Sequence, residues 1–169
     1  MATSQQPYQV IDKSADIEFR YYPAATFARV HVQGPDLLNT GFRHLANYIF
    51  GGNQANQSIA MTAPVVLERG TNRQDGHVSF YLTDKNAPQP HASVVQIAHQ
   101  LGRHMAAITV PGFVRQSTLE AIATRLHATL VAQGRKCSDT PEFRYYNSPW
   151  QLFGRRTDVL FTLTDVPQH

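Results

Sequence analysis

The hydrophobic pattern of this chain runs through one order of elements twice, and few folds satisfy that order. Ile17 and Phe19 alternate with Glu18 and Arg20, and Ala28, Val30 and Val32 alternate with Phe27, Arg29 and His31. Both runs carry the period of two expected of half-buried strands. Strands are therefore expected at about 8–12, 16–22 and 25–32. The period then lengthens. Leu38, Phe42, Leu45 and Ile49 recur at helical spacing between a start at Pro35-Asp36 and a stop at Gly51-Gly52-Asn53, since a first-turn proline loses no needed donor and glycine accepts the left-handed end. A strand follows at 58–67, where Pro64 implies an edge, a bulge or a bend. Another is marked by Val78, Phe80 and Leu82.

After Asp84-Lys85-Asn86-Ala87-Pro88-Gln89-Pro90-His91 the order restarts. Val95 and Ile97 mark a strand, and Met105 to Val110 another. A second helix carries the stripe Leu119, Ile122, Leu126 and Leu130, with a capping-box pattern at Ser117 and Glu120 and a stop at Gly134. Phe143 and Tyr145 open a strand ending near Asn147-Ser148-Pro149-Trp150. Val159, Phe161 and Leu163 close the chain. Each half has one helix and too few strands to bury both faces alone. The expectation is one domain over 1–169, with half one at about 8–83, a proline-bearing linker at 84–92 and half two at about 93–164. Paired sheets with helices outside make it α+β, a distorted β-barrel of two pseudo-symmetric βαββ-type halves with two flanking helices and a small-molecule cleft between them.

Composition narrows the function. Of 169 residues, 42% are hydrophobic and 16% charged, enough apolar side chain for a core and too little charge for a disordered chain. The formal charge of +3 comes without a dense Lys/Arg run, so no nucleic-acid partner is expected. Cys137 is the single cysteine, which excludes an intrachain disulfide and a thiolate metal cluster. The N-terminal stretch has no basic region followed by an apolar run, and nothing approaches membrane-spanning length. A cytoplasmic protein without membrane insertion is expected, its oligomeric state open.

Several motifs carry a resemblance. Tyr48-Ile49-Phe50-Gly51-Gly52-Asn53 leads into Ile59-Ala60-Met61-Thr62-Ala63-Pro64-Val65. Glu18-Phe19-Arg20-Tyr21-Tyr22-Pro23, Val78-Ser79-Phe80-Tyr81-Leu82 and Tyr146-Asn147-Ser148-Pro149-Trp150 accompany it. In these, over residues 8 to 163, the chain resembles the SOUL haem-binding protein family. The resemblance implies two βαββ-type halves with two helices, similar to GyrI-like small-molecule-binding domains. It also implies binding of haem or a related tetrapyrrole near the first helix, at positions corresponding to Asn39, Phe42, Ala46 and Asn47.

The residues of that helix can be weighed on their own terms. Haem needs an apolar bed, cations or donors for two propionates and, optionally, an axial ligand. Phe42, Ala46 and Phe50 are spaced four apart as an apolar edge, Arg43 suits a propionate and Asn47 can donate. Equally, Phe42 and Phe50 can pack the core and Arg43 can be a solvated charge. Of eight histidines, His44 is the first choice for the haem iron because it shares this helix. His31, Tyr21 or no protein ligand are the alternatives. Met61 is either a thioether near the iron or core filler. No catalytic constellation is recognisable. The chain reads as a non-enzymatic binder, one that buffers, transports or hands over its ligand. The alternative is GyrI-like binding, or hydrolysis, of a lipophilic small molecule, with Glu142 beside Phe143, Tyr145 and Tyr146 as the acid.

Overall fold

A computed structural model describes residues 3–146 and 155–167. The expected end of the strand opened by Phe143 and Tyr145, at Asn147-Ser148-Pro149-Trp150, therefore lies outside the described residues. Among the described residues there are eleven strands and two helices, giving an α+β fold. They form two compact units, one of residues up to Gln6 with Ala25–Gln100, the other of Pro7–Ala24 with Leu101 onward.

In the first unit, β1 (Ser4–Gln5) pairs in parallel with β5 (Thr62–Ala63). The main sheet runs β6 (Val65–Arg69), β7 (Asp75–Leu82), β4 (Ala25–Gln33), β8 (Val95–Gln100), all antiparallel. α1 (Leu37–Ile49) follows β4. Asp36 caps α1, its side chain accepting from the Asn39 amide, which satisfies one of the helix's orphan donors. The strand expected over 58–67 is broken into β5 and β6 by a cis Ala63–Pro64 bond, and Pro64 has no N–H to offer a ladder.

Alternation sets the two faces of this sheet. Ala28 lies opposite Phe80, Val30 opposite Val78 and Leu67 opposite Val78, and these side chains are buried. α1 covers this face. Its buried residues are Leu37, Gly41, Leu45, Tyr48 and Ile49; Leu45 and Ile49 belong to the stripe read from the sequence, whereas Leu38 and Phe42 are only half-buried and Leu37 and Gly41 take their places. Gly41 is the cause. A Cβ there would overlap the side chain of Val78, so the missing side chain lets the helix sit close enough to bury Leu45 and Ile49 almost completely. Each of those is worth about 1.5–3 kcal/mol.

Gly41→Ala is therefore expected to destabilise. Alanine gains about 1 kcal/mol of helix propensity, but the overlap with a fully buried Val78 costs up to about 3 kcal/mol. Urea unfolding should show a net loss of about 1–2 kcal/mol. Adding Val78→Ala should cost less than the sum of the single losses, since contacting residues couple.

The second unit has the sheet order β2 (Gln9–Ser14), β3 (Ile17–Tyr22), β9 (Arg103–Pro111), β11 (Arg156–Thr162), β10 (Glu142–Tyr145), again antiparallel. α2 (Gln116–Ala132) contributes the buried residues Leu119, Ala123, Leu126 and Leu130. His127 packs on Phe161 with ring centroids 5.2 Å apart, which places α2 on the face of Val159 and Phe161. Gly134, at φ 75°, ends the helix region as expected. The capping box does not form. The cap position is Arg115, without a side-chain bond, and Ser117 and Glu120 lie inside the helix. No helix among the described residues is long and apolar enough to cross a membrane.

Candidate functional site

Because α1 turns Leu37, Gly41, Leu45, Tyr48 and Ile49 inward, its 3.6-residue period turns Asn39, Arg43, His44 and Asn47 outward, and all four are exposed. Phe42 and Ala46 stand half-buried at the edge. Phe42 meets Phe80 edge-on, centroids 5.4 Å apart. Phe50, at the C-cap, is 74% exposed. The outer face thus presents an apolar row, Phe42, Ala46 and Phe50, beside a polar row with one cation and one imidazole. Arg43 has no ion-pair or hydrogen-bond partner among the described residues. Asn39 is partly committed, its Nδ2 donating to Asp36 at 2.8 Å.

The C-terminal end of this face is held by the helix stop and the proline-bearing stretch, through bonds that the sequence does not show. Asn53 is fully buried. Its Nδ2 donates to Tyr48 O at 3.1 Å and to Gln57 O at 2.7 Å, and its Oδ1 accepts from the amides of Ala55 and Gln57. One side chain thereby satisfies four backbone groups, as a buried amide must. Tyr48 donates its hydroxyl to Pro88 O at 2.6 Å. The Gln54 amide donates to Gln89 O, and the His91 amide to Gly52 O. The proline-bearing stretch is thus stitched to the turn after α1. The signal for Asn53 was its place after two glycines; nothing signalled the Tyr48–Pro88 bond.

The other proposed haem residues are elsewhere. Met61 is half-buried, two residues beyond Ile59, whose amide donates to Ile49 O at the end of α1. His31 has the parity of Phe27 and Arg29, opposite to Ala28, Val30 and Val32, so it points from the sheet face that α1 does not cover. His31 and His44 therefore stand on opposite sides of the first unit. Tyr21 belongs to the second unit, half-buried and packed against His104 at 5.0 Å between centroids.

In the second unit, the sheet face turned away from α2 carries buried charge. Asp158 is fully buried. It accepts from Arg20 Nη1 at 2.7 Å and from Thr109 Oγ1 at 3.0 Å. Glu142 accepts from Arg103 Nη2 at 2.9 Å and from Arg144 Nε at 2.5 Å. Burial alone would raise the Glu142 pKa, but the two guanidiniums outweigh it and lower it to about 2. Arg20 lies over the Tyr8 ring at 4.2 Å and Arg144 over the Tyr22 ring at 4.3 Å. Burial pushes the hydroxyls of Tyr145 and Tyr146 well above the usual tyrosine range. Glu142 is therefore neither a free counter-charge for a cation nor a proton acceptor at neutral pH. Its strand neighbours Phe143 and Tyr145 have the opposite parity and face α2. Trp150 lies outside the described residues.

The fold defined by these two units is also that of known structures. The chain is similar to the C-terminal domain of EcmrR, with a TM-score of 0.68 and 12% identity, covering 94% of this chain and 99% of that one. It is similar too to a hydrolase from Listeria innocua, with a TM-score of 0.63 and 9% identity over 88% and 92%. At such identity the likeness shows a shared GyrI-like and SOUL-like fold and no more. The sequence is more specific. Residues 3–162 match the SOUL heme-binding protein family, and the chain belongs to it. Among curated relatives, Heme-binding protein 2 of Homo sapiens is 27% identical over 164 residues, 89% of this chain and 79% of the human one. Heme-binding protein 2 of Mus musculus is 26% identical over 180 residues, 99% of this chain and 87% of that one.

Proposed function

We propose that this protein binds haem, or a related tetrapyrrole, on the outer face of α1, without catalysing a reaction on it. The observation that carries the reading is the pairing on one exposed helix face of an apolar row, Phe42, Ala46 and Phe50, with an exposed Arg43 and an exposed His44, in a chain of a haem-binding family. The donor set fits the group. A flat macrocycle takes the phenylalanines, a propionate takes Arg43 or Asn47, and His44 supplies an imidazole able to ligate iron. Asn53 and Tyr48 hold the turn that presents Phe50. A ligand on an open helix face can leave without rearrangement of the fold, which suits buffering, transport or hand-over. The rival reading, a pocket for a lipophilic cation or a hydrolytic site built on Glu142, loses its acid to Arg103 and Arg144.

Titrating the protein with hemin should give a saturable Soret shift. Arg43→Ala should weaken binding about fivefold, the worth of one exposed charge-assisted contact near 1 kcal/mol. His44→Ala should change the position of the Soret band as well as the affinity. A titration curve no different from that of an unrelated basic protein would overturn the proposal.

A further inference from the structure

On the first unit's other sheet face, two histidines distant in the chain are direct neighbours. His31 on β4 lies opposite His77 on β7 in the register, with ring centroids 5.0 Å apart. Glu68 on β6 lies opposite His77 in turn, so the row across three strands reads Glu68, His77, His31. Asp75 Oδ1 sits 2.6 Å from His31 Nε2. A carboxylate on one imidazole nitrogen fixes the ring and leaves the other nitrogen, here Nδ1, for a metal. Glu68 is engaged by Arg29 Nη2 at 2.8 Å.

We propose that His31 and His77 form a two-imidazole chelating site for a divalent first-row transition metal, Cu²⁺ before Zn²⁺, with Asp75 orienting His31. The spacing suits it. An ion about 2.05 Å from a ring nitrogen lies about 3.2 Å from the ring centroid. Centroids 5.0 Å apart then subtend about 100° at the ion, within the range of tetrahedral and square-planar sites. No three His, Cys, Asp or Glu side chains among the described residues converge on one point, so the remaining positions on the ion belong to water. Imidazole nitrogens without thiolates select Cu²⁺ over Zn²⁺ by the ordinary affinity order. Charge favours a cation, since Asp75 and Glu68 outnumber Arg29 around the pair. The site is separate from the outer face of α1, so it stands or falls independently of haem binding.

The test is a titration of tag-free, haem-free protein with Cu²⁺ alone, followed by calorimetry and electron paramagnetic resonance. One ion per chain should bind, with hyperfine structure from two imidazole nitrogens. His31→Gln and His77→Gln should each weaken binding more than about a hundredfold, Asp75→Asn about tenfold, and His91→Gln not at all. In the unmodified chain, sub-stoichiometric Cu²⁺ should broaden the His31 and His77 ring resonances first, a readout that does not depend on a variant folding. Unchanged affinity in folded His31→Gln or His77→Gln, or broadening that begins at other histidines, would overturn the site.

Discussion

Asp158→Ala is expected to cost about 3–5 kcal/mol of folding stability, the range for breaking a buried ion pair from one side. Asp158 is fully buried and Arg20 is 1% exposed. Removing the carboxylate leaves Arg20 Nη1 with only the Tyr22 hydroxyl, 3.0 Å away, and leaves the Thr109 hydroxyl without its acceptor. Glu18 still accepts from Arg20 Nε and Nη2, at 2.9 and 2.7 Å, so the loss should fall toward the lower end of the range. Replacing the pair together, Arg20→Met with Asp158→Leu, should cost clearly less than Asp158→Ala alone, because an apolar pair needs no compensating charge. Chemical denaturation of the three variants decides it. A loss below about 1 kcal/mol in Asp158→Ala would mean that the pair behaves as a solvated surface bridge.

Glu142 should govern acid stability. Its pKa is depressed in the folded protein, to about 2 from an ordinary 4.5. The resulting stabilisation is complete above pH 4.5 and is lost as the pH falls toward 2, and it is on the order of 3 kcal/mol. Glu142→Gln cannot titrate there, and it leaves Arg103 and Arg144 facing a neutral amide. The variant should be less stable than the parent at pH 7, and the difference should shrink steadily between pH 4.5 and 2. A difference that stays constant over that range would show that the Glu142 carboxyl titrates alike in the folded and unfolded chain.

Apart from Glu142, both predictions rest on residues that the sequence presents as ordinary. Arg20, Arg144 and Asp158 fall on the polar side of alternating strands, and alternation reads polar as solvent-facing. It cannot distinguish solvent from an interior where opposite charges meet, because that depends on register. Arg20 and Asp158 are 138 residues apart, and only the β3–β9–β11 order brings them together. The His31–His77 pair was hidden for the same reason.

What was legible was local. The period of two placed β3, β4, β7 and β11, and the period of 3.6 placed both helices within a few residues. In the buried stripe of α1, Leu45 and Ile49 are as expected but Leu37 and Gly41 stand in place of Leu38 and Phe42, since Gly41 has no side chain to count as apolar yet sits where the helix meets the sheet. The capping box at Ser117 failed because the helix begins before it. For the candidate site, the exposure of Arg43, His44 and Asn47 followed directly from helix phase. The clasp around Asn53 did not, since its partners at Tyr48 and Gln57 are backbone carbonyls, which leave no mark in a sequence.

The central claim, that the ligand sits on the outer face of α1, is tested most directly by nuclear magnetic resonance of isotopically labelled protein titrated with hemin. Ferric haem broadens the resonances nearest to it. The account predicts that amides between Asn39 and Phe50 are lost first, with those of the Asn53 turn next. Broadening that begins on α2 or β9, while the α1 amides stay sharp, would contradict it.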